Sequence, residues 1–183
     1  MNLEDFRLAS VDEVSQELLD AFDCGDDELN GFLRSDSVQY GRYGLTHTTA
    51  VFREECSTLV GFFSLSCDSL KLAGVELSEL GLPFDASLDF FPAVKVTKLA
   101  VASGWQSQGI GRHMLAFIQG IAFRPPLSAR LLTVNAVNRD RALSFYEREG
   151  FIVSSRHHAQ EGQRRKGVEP ATVLMYRDLY ADS

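Results

Sequence analysis

Hydrophobic positions along this chain follow two rhythms that replace one another several times. Alternating or continuous runs of β-branched and aromatic residues predict strands at "DFRLAS", "THTTAVFRE", "TLVGFFSLSC", "AVKVTKLAVAS", "ARLLTVNAV", "FIVSSRHH" and "ATVLMYRDL". Between them, apolar residues recur three and four apart, the spacing of one helix face. Val14, Leu18, Leu19 and Phe22 form one such stripe, and Leu29, Phe32 and Leu33 form another behind an acidic start. The break at "EECS" predicts a hairpin, and residues 68–92 read as irregular, with a short helix at "GVELSEL". After Gly111, the residues Met114, Leu115, Ile118 and Ile121/Ala122 share a face until Pro125-Pro126 stops the helix. In "NRDRALSFYEREG", Asn138 is the expected N-cap, Ala142, Phe145 and Tyr146 share a side, and Gly150 ends the helix. The second half therefore reads strand–helix–strand–helix–strand–strand. That order predicts an α/β (α+β) sheet with helices packed on it.

Composition narrows the setting. With 183 residues, 45% hydrophobic and 23% charged, the chain is expected to form a single globular domain, 1–183, with a sizeable core. No run approaches the roughly 18 apolar residues of a membrane span, and "MNLEDFRLAS" lacks the basic start and apolar run of a signal peptide. Cys24, Cys56 and Cys67 show no C-x-x-C spacing and are odd in number. They read as free thiols of a cytoplasmic protein that has neither a disulfide frame nor a metal site. The net charge of −7 is unevenly spread. From Pro92 onward, 13 Lys and Arg face 7 Asp and Glu, a net of +6, whereas the first 91 residues carry −13. The whole is too acidic to announce a nucleic-acid binder, yet its second half suits a polyanion as well as it suits plain solvated surface.

The stretch "QSQGIGRHML" concentrates the candidate chemistry. A buried strand runs into a turn carrying Gly109 and Gly111, and an amphipathic helix follows. Backbone amides of Ser107, Gln108, Gly109, Ile110, Gly111 and Arg112 would then face a helix mouth, the arrangement that holds phosphate. It is not a Walker loop, because no Gly-Lys-Ser/Thr follows. Nor is it a dinucleotide fingerprint, because position 114 is Met.

Taken together, Leu99-Ala100-Val101, then Gln106-x-x-Gly109-x-Gly111, then Asn138, Ala142, Phe145-Tyr146 and Gly150-Phe151 resemble the GNAT superfamily of acyl-CoA-dependent N-acetyltransferases. That family's signature is Gln/Arg-x-x-Gly-x-Gly/Ala, often followed about 35 residues later by Tyr-x-x-x-Gly-Phe. The resemblance covers residues 93–178. It implies a central mixed, mostly antiparallel sheet, splayed at the acetyl-CoA site, with helices on both faces. It also implies that backbone groups of Leu99, Ala100 and Val101 meet the pantetheine arm and that amides from Gln106 to Arg112 take the pyrophosphate. Asn138 would lie near the pantetheine or thiol end, and Tyr146 would be the acid that protonates the CoA thiolate. That last role is chemically sensible, since amine attack on a thioester requires the sulfur to be protonated.

A general base is not evident. Residues 93–102 hold Lys95, Thr97 and Lys98 and no carboxylate. His157 and His158 have the pKa range of a base but are expected as exposed polar residues at a strand end. Direct attack without a covalent enzyme intermediate is expected, because no cysteine falls in the catalytic motifs.

The N-terminal part resembles a narrower branch. "FDCGDDELNGFL" (22–33), followed by "TTAVF" and "LVGFFSLS", is similar to the opening of toxin-type GNAT proteins. The branch often carries Asp where this chain has Asn30, and Arg where it has Lys98. This resemblance implies acetylation of the α-amine of aminoacyl-tRNA and restraint by a ribbon–helix–helix antitoxin. Arg156, Arg164, Arg165 and Lys166 read either as a basic lip beside the acceptor or, more simply, as a solvated hairpin loop. The superfamily also implies a homodimer. A small molecule, a polyamine or a protein amine are alternative acceptors. The alternative of another class is a non-catalytic acyl-CoA-binding sensor.

Overall fold

A computed structural model describes residues 3–55, 58–125, 128–157 and 170–181. Its strands are β1 (Phe6–Ser10), β2 (His47–Arg53), β3 (Thr58–Leu70), β4 (Phe91–Val101), β5 (Leu131–Val137), β6 (Ile152–Val153) and β7 (Thr172–Asp178). They form one mixed seven-stranded sheet in the order β1-β2-β3-β4-β5-β7-β6. The helices are α1 (Gln16–Asp20), α2 (Asp27–Gly31), α3 (Ser37–Arg42), α4 (Gly74–Glu79), α5 (Ile110–Ala122) and α6 (Asp140–Arg148). Among the described residues, no helix is long and apolar enough to cross a membrane.

The chain divides into two compact units, Met1–Ser66 with Val96–Gly120 and Cys67–Lys95 with Ile121–Ser183. In the first unit, β1, β2 and β3 are antiparallel neighbours. The expected hairpin is present, and β2–β3 changes register between Val51 and Phe52, so Val51 faces Gly61 and Phe52 faces Leu59. Leu19, Phe22, Phe32, Leu33, Phe52, Phe62 and Ala100 pack together as the core of this unit. Burial of such side chains contributes about 1.5–3 kcal/mol each. Of the predicted first stripe, Leu19 and Phe22 are buried but Leu18 is 42% exposed, since it points about 100° away from Leu19 around the short helix Gln16–Asp20. The second stripe continues from α2 through a π-turn at Phe32–Asp36 into α3. That wider turn leaves the Leu33 carbonyl to accept the Ser37 hydroxyl at 2.7 Å.

The second unit holds β5, β7 and β6, with β7 antiparallel to both neighbours. Leu70, Leu72, Leu80, Phe91, Leu131 and Tyr176 form its core. Three expectations are corrected here. Strand β3 runs on to Leu70, where Asp68 accepts the Thr133 hydroxyl at 2.6 Å, so residues 68–70 are not irregular. The predicted strand over "FIVSSRHH" shrinks to Ile152–Val153, and residues 155–157 turn helical. The N-cap of α6 is Arg139 rather than Asn138, whose N–H and side-chain amide instead donate to the carbonyls of Ala171 and Pro170, both at 3.0 Å.

Candidate active site

In the first unit, β4 ends at Val101 and the chain passes through a single 3-10 turn, Ser103–Trp105, before the glycine stretch. Leu99 and Val101 are half-buried and Ala100 is buried. Close backbone approach sets this region. A Cβ on Gly61 would stand 2.7 Å from the Ala100 carbonyl and 3.1 Å from Met114 Sδ, so only glycine fits there. The carbonyl of Val60, displaced by the register change, accepts the Ala102 N–H at 2.9 Å.

The turn itself carries two left-handed residues, Ser107 (φ 63) and Gly109 (φ 82). Among the described residues, Ser107 is the only non-glycine with positive φ, and such strain concentrates at functional loops. Ser107, Gln108 and Gly109 are exposed, Ile110 is buried and starts α5, and Arg112 is exposed. His113 N–H closes the first helical bond onto the Gly109 carbonyl at 3.2 Å. An α-helix leaves the N–H groups of its first turn without acceptors of its own, so a helix start reached from a glycine turn suits an anion. Met114, Leu115, Ile118 and Ala122 are all buried, as the periodicity predicted.

Gln106 does something the sequence did not foretell. Its Nε2 donates to the carbonyls of Val101 (3.0 Å) and Cys24 (2.9 Å), tying the glycine turn to the N-terminal motif. The Ser103 N–H donates to the Asp23 carbonyl at 2.9 Å, and Arg34 donates to the Phe22 carbonyl at 3.1 Å. Gly25 (φ 79) makes the bend, and its N–H donates to the Asp23 carboxylate at 2.8 Å. That bond, followed by one from Asn30, holds the Asp23 carboxyl below its ordinary range. Burial pushes the Cys24 thiol up from its ordinary range, with the charges of Asp26 and Asp23 adding to it.

In the second unit, Tyr146 sits buried near the end of α6, with edge-on ring contacts to Phe145 (5.1 Å) and Phe151 (5.3 Å). Burial lifts its phenol far above the ordinary value of 10. The helix closes with Gly150 at φ 81, the Phe151 N–H donating to the Tyr146 carbonyl (3.0 Å) and the Gly150 N–H to the Glu147 carbonyl (3.0 Å). This paired closure with an apolar contact across it is a Schellman motif. It accounts physically for the Tyr-x-x-x-Gly-Phe spacing.

His157 departs from expectation. It is buried rather than exposed, and its Nδ1 accepts the Leu174 N–H at 3.4 Å. His158, Arg164, Arg165 and Lys166 lie outside the described residues, while Arg156 is exposed. Nearby, the Glu76 carboxylate accepts the Ser155 N–H (2.8 Å), the Ser155 hydroxyl (2.6 Å) and the Ala73 N–H (3.0 Å). Among the described residues, no group of His, Cys, Asp and Glu could hold a metal ion.

A mixed sheet with a strand running into a glycine turn and an amphipathic helix is the architecture of an acyltransferase domain. Residues 47–153 match the family model of the acetyltransferase (GNAT) domain, and the chain belongs to that family. It is an acetyltransferase whose acetyl group comes from acetyl-CoA. Solved structures agree on the fold. A tyrosine-to-phenylalanine mutant of the AtaT toxin matches with a TM-score of 0.70 and 20% identity, over 97% of this chain and 92% of that one. A tyrosine-to-phenylalanine mutant of KacT matches at 0.67 and 19%, over 96% and 95%. AtaT complexed with acetyl-methionyl-tRNAfMet matches at 0.66 and 20%, over 93% and 94%.

Proposed function

We propose that this acetyltransferase acts on the α-amine of an aminoacyl-tRNA, by direct attack in a ternary complex, with Tyr146 as the acid. The observation that supports this reading is the bond from Gln106 to the Cys24 carbonyl, which joins the N-terminal motif to the glycine turn. The segment that resembles toxin-type proteins is thereby a wall of the glycine turn and not an appendage to it. Likeness to AtaT, solved with acetyl-methionyl-tRNAfMet and also with the antitoxin AtaR, supports the same reading.

In this reading the amides of Ser107, Gln108, Gly109, Ile110, Gly111 and Arg112 hold the pyrophosphate. The positive-φ turn suits it, because successive N–H groups in such a turn form an anion-binding concavity. Backbone groups of Leu99, Ala100 and Val101 lie along the pantetheine arm, and Asn138 lies toward the thiol end. When bound, acetyl-CoA supplies an acetyl thioester. The amine nitrogen forms its bond to the acetyl carbon, the carbon–sulfur bond breaks, and Tyr146 gives its phenolic proton to the departing sulfur. Burial keeps the Tyr146 phenol protonated and also makes it a weaker acid, so the proton moves only as negative charge builds on the departing sulfur. The amine enters neutral and its surplus proton passes to water, since residues 93–102 offer no carboxylate. Cys24 is buried with a raised thiol pKa and is a poor nucleophile, in keeping with direct transfer. The partners in this reading are the aminoacyl-tRNA, an antitoxin of ribbon–helix–helix type and a second copy of the chain.

The test is incubation with labelled acetyl-CoA and a total aminoacyl-tRNA pool, with Tyr146→Phe in parallel. Label on the tRNA fraction, reduced about 100-fold or more in the variant, is expected for a lost general acid. An unlabelled tRNA fraction, with uptake by small amines or proteins, would move the acceptor to those classes. Equal labelling by the variant would remove Tyr146 from the role of acid.

A further inference from the structure

We propose that Asn30 is a positioning residue for acetyl-CoA, setting the glycine turn through the Cys24 carbonyl and Gln106. The inference rests on the reading that this turn holds the pyrophosphate. Asn30 is buried, and its amide works in both directions. Its Oδ1 accepts the Cys24 N–H at 3.0 Å and the Cys24 S–H at 3.1 Å. Its Nδ2 donates to the Asp23 carboxylate at 2.8 Å. An amide side chain offers an acceptor and donors side by side at every pH. A carboxylate at position 30 would set two acceptors against each other, and an alanine would leave the Cys24 N–H buried without that acceptor.

What Asn30 holds leads directly to the turn. Residues 22–24 present three successive carbonyls, and each is taken: Phe22 by Arg34, Asp23 by the Ser103 N–H, and Cys24 by Gln106. Two of these three bonds reach the segment between Val101 and Gln106, immediately before the strained Ser107. Fixing the Cys24 peptide by its N–H fixes where its carbonyl points, and so where Gln106 holds the start of the turn. A site of oriented amides depends on such support, because small losses of orientation weaken the hold on a fixed anion. The titratable groups that Asn30 bonds are the Asp23 carboxylate and the Cys24 thiol; the Arg34 charge acts on the first, and those of Asp26 and Asp23 on the second.

The experiment is calorimetric titration of CoA into the full chain and into Asn30→Ala and Asn30→Asp, from about pH 5 to pH 8, with pantetheine as the probe that lacks the pyrophosphate. Asn30→Ala is expected to weaken CoA about tenfold, the scale of a buried hydrogen-bond group left unpaired. Asn30→Asp is expected to bind CoA nearly as the parent does at the acid end, where a proton shared with Asp23 restores a donor. Its affinity relative to the parent's at the same pH should then fall as pH rises, a ratio that cancels the titration of the CoA phosphate itself. Pantetheine binding should be alike in all three. Unchanged CoA affinity in both variants would overturn the proposal. So would equal loss toward both probes at every pH, which would mark Asn30 as a residue of the fold alone. A parent that binds CoA no better than pantetheine would instead sink the pyrophosphate reading, and this inference with it.

Discussion

Single residues here carry consequences out of proportion to their size. Gly61 reads in the sequence as one more strand position, yet its missing side chain lets β3 lie against the Ala100 carbonyl. Gly61→Ala should cost about 1–3 kcal/mol in urea unfolding, the range for overpacking against a backbone that cannot yield easily. Gly31→Ala is the opposing control, since a Cβ there meets nothing within 4 Å and the backbone is already helical. It should stabilise by about 0.4–1 kcal/mol. Ser107 was legible as part of a turn but not as the residue in a left-handed conformation, because serine carries no local sign of positive φ. Asn30 was visible only as a departure from a pattern. Its role depends on Cys24 and Asp23, six and seven positions away, whose packing no local periodicity reports.

At the scale of elements, long stripes were read well and short or borrowed structure was not. Helix α5 announced itself through Met114, Leu115, Ile118 and Ala122, four buried residues on one face. Gly150 ended α6 as its residue type suggested, and the Schellman closure explains why the Tyr146 to Phe151 spacing is tight. By contrast, β6 is two residues long because the chain turns at Ser154–Ser155, where Glu76 draws it away. That carboxylate makes a prediction about pH. Burial works against its charge, but bonds from Ser155, Ala73 and Ser154 outweigh it and leave the folded pKa below the ordinary 4.5. The stabilisation is therefore full above 4.5 and is lost as pH falls through the lower folded value. Glu76→Gln should lower stability at neutral pH and flatten the acid limb of the unfolding curve, as followed by urea titrations at stepped pH. A parallel acid limb in the variant would assign that loss to other groups.

For the whole molecule, the order of secondary structure was legible but the order of strands in space was not. Nothing in "ATVLMYRDL" says that it lies between β5 and β6; that follows from which edge remains open once β5 is placed. As an acetyl-CoA-dependent enzyme, the protein should be stabilised by that ligand. At a hundredfold excess over the dissociation constant, CoA should raise the melting temperature by about 5–10 °C, the linkage expected for a chain of this size. No shift in a thermal melt at millimolar CoA would contradict a folded, competent site. The interleaved strand order also bears on how the protein is made. During synthesis β5 emerges before β7, its neighbour in the sheet, and so does β6, which among the described residues pairs with β7. Assembly of this part must wait for residues 172–178, so a nascent chain stalled before them would be held short of the active enzyme.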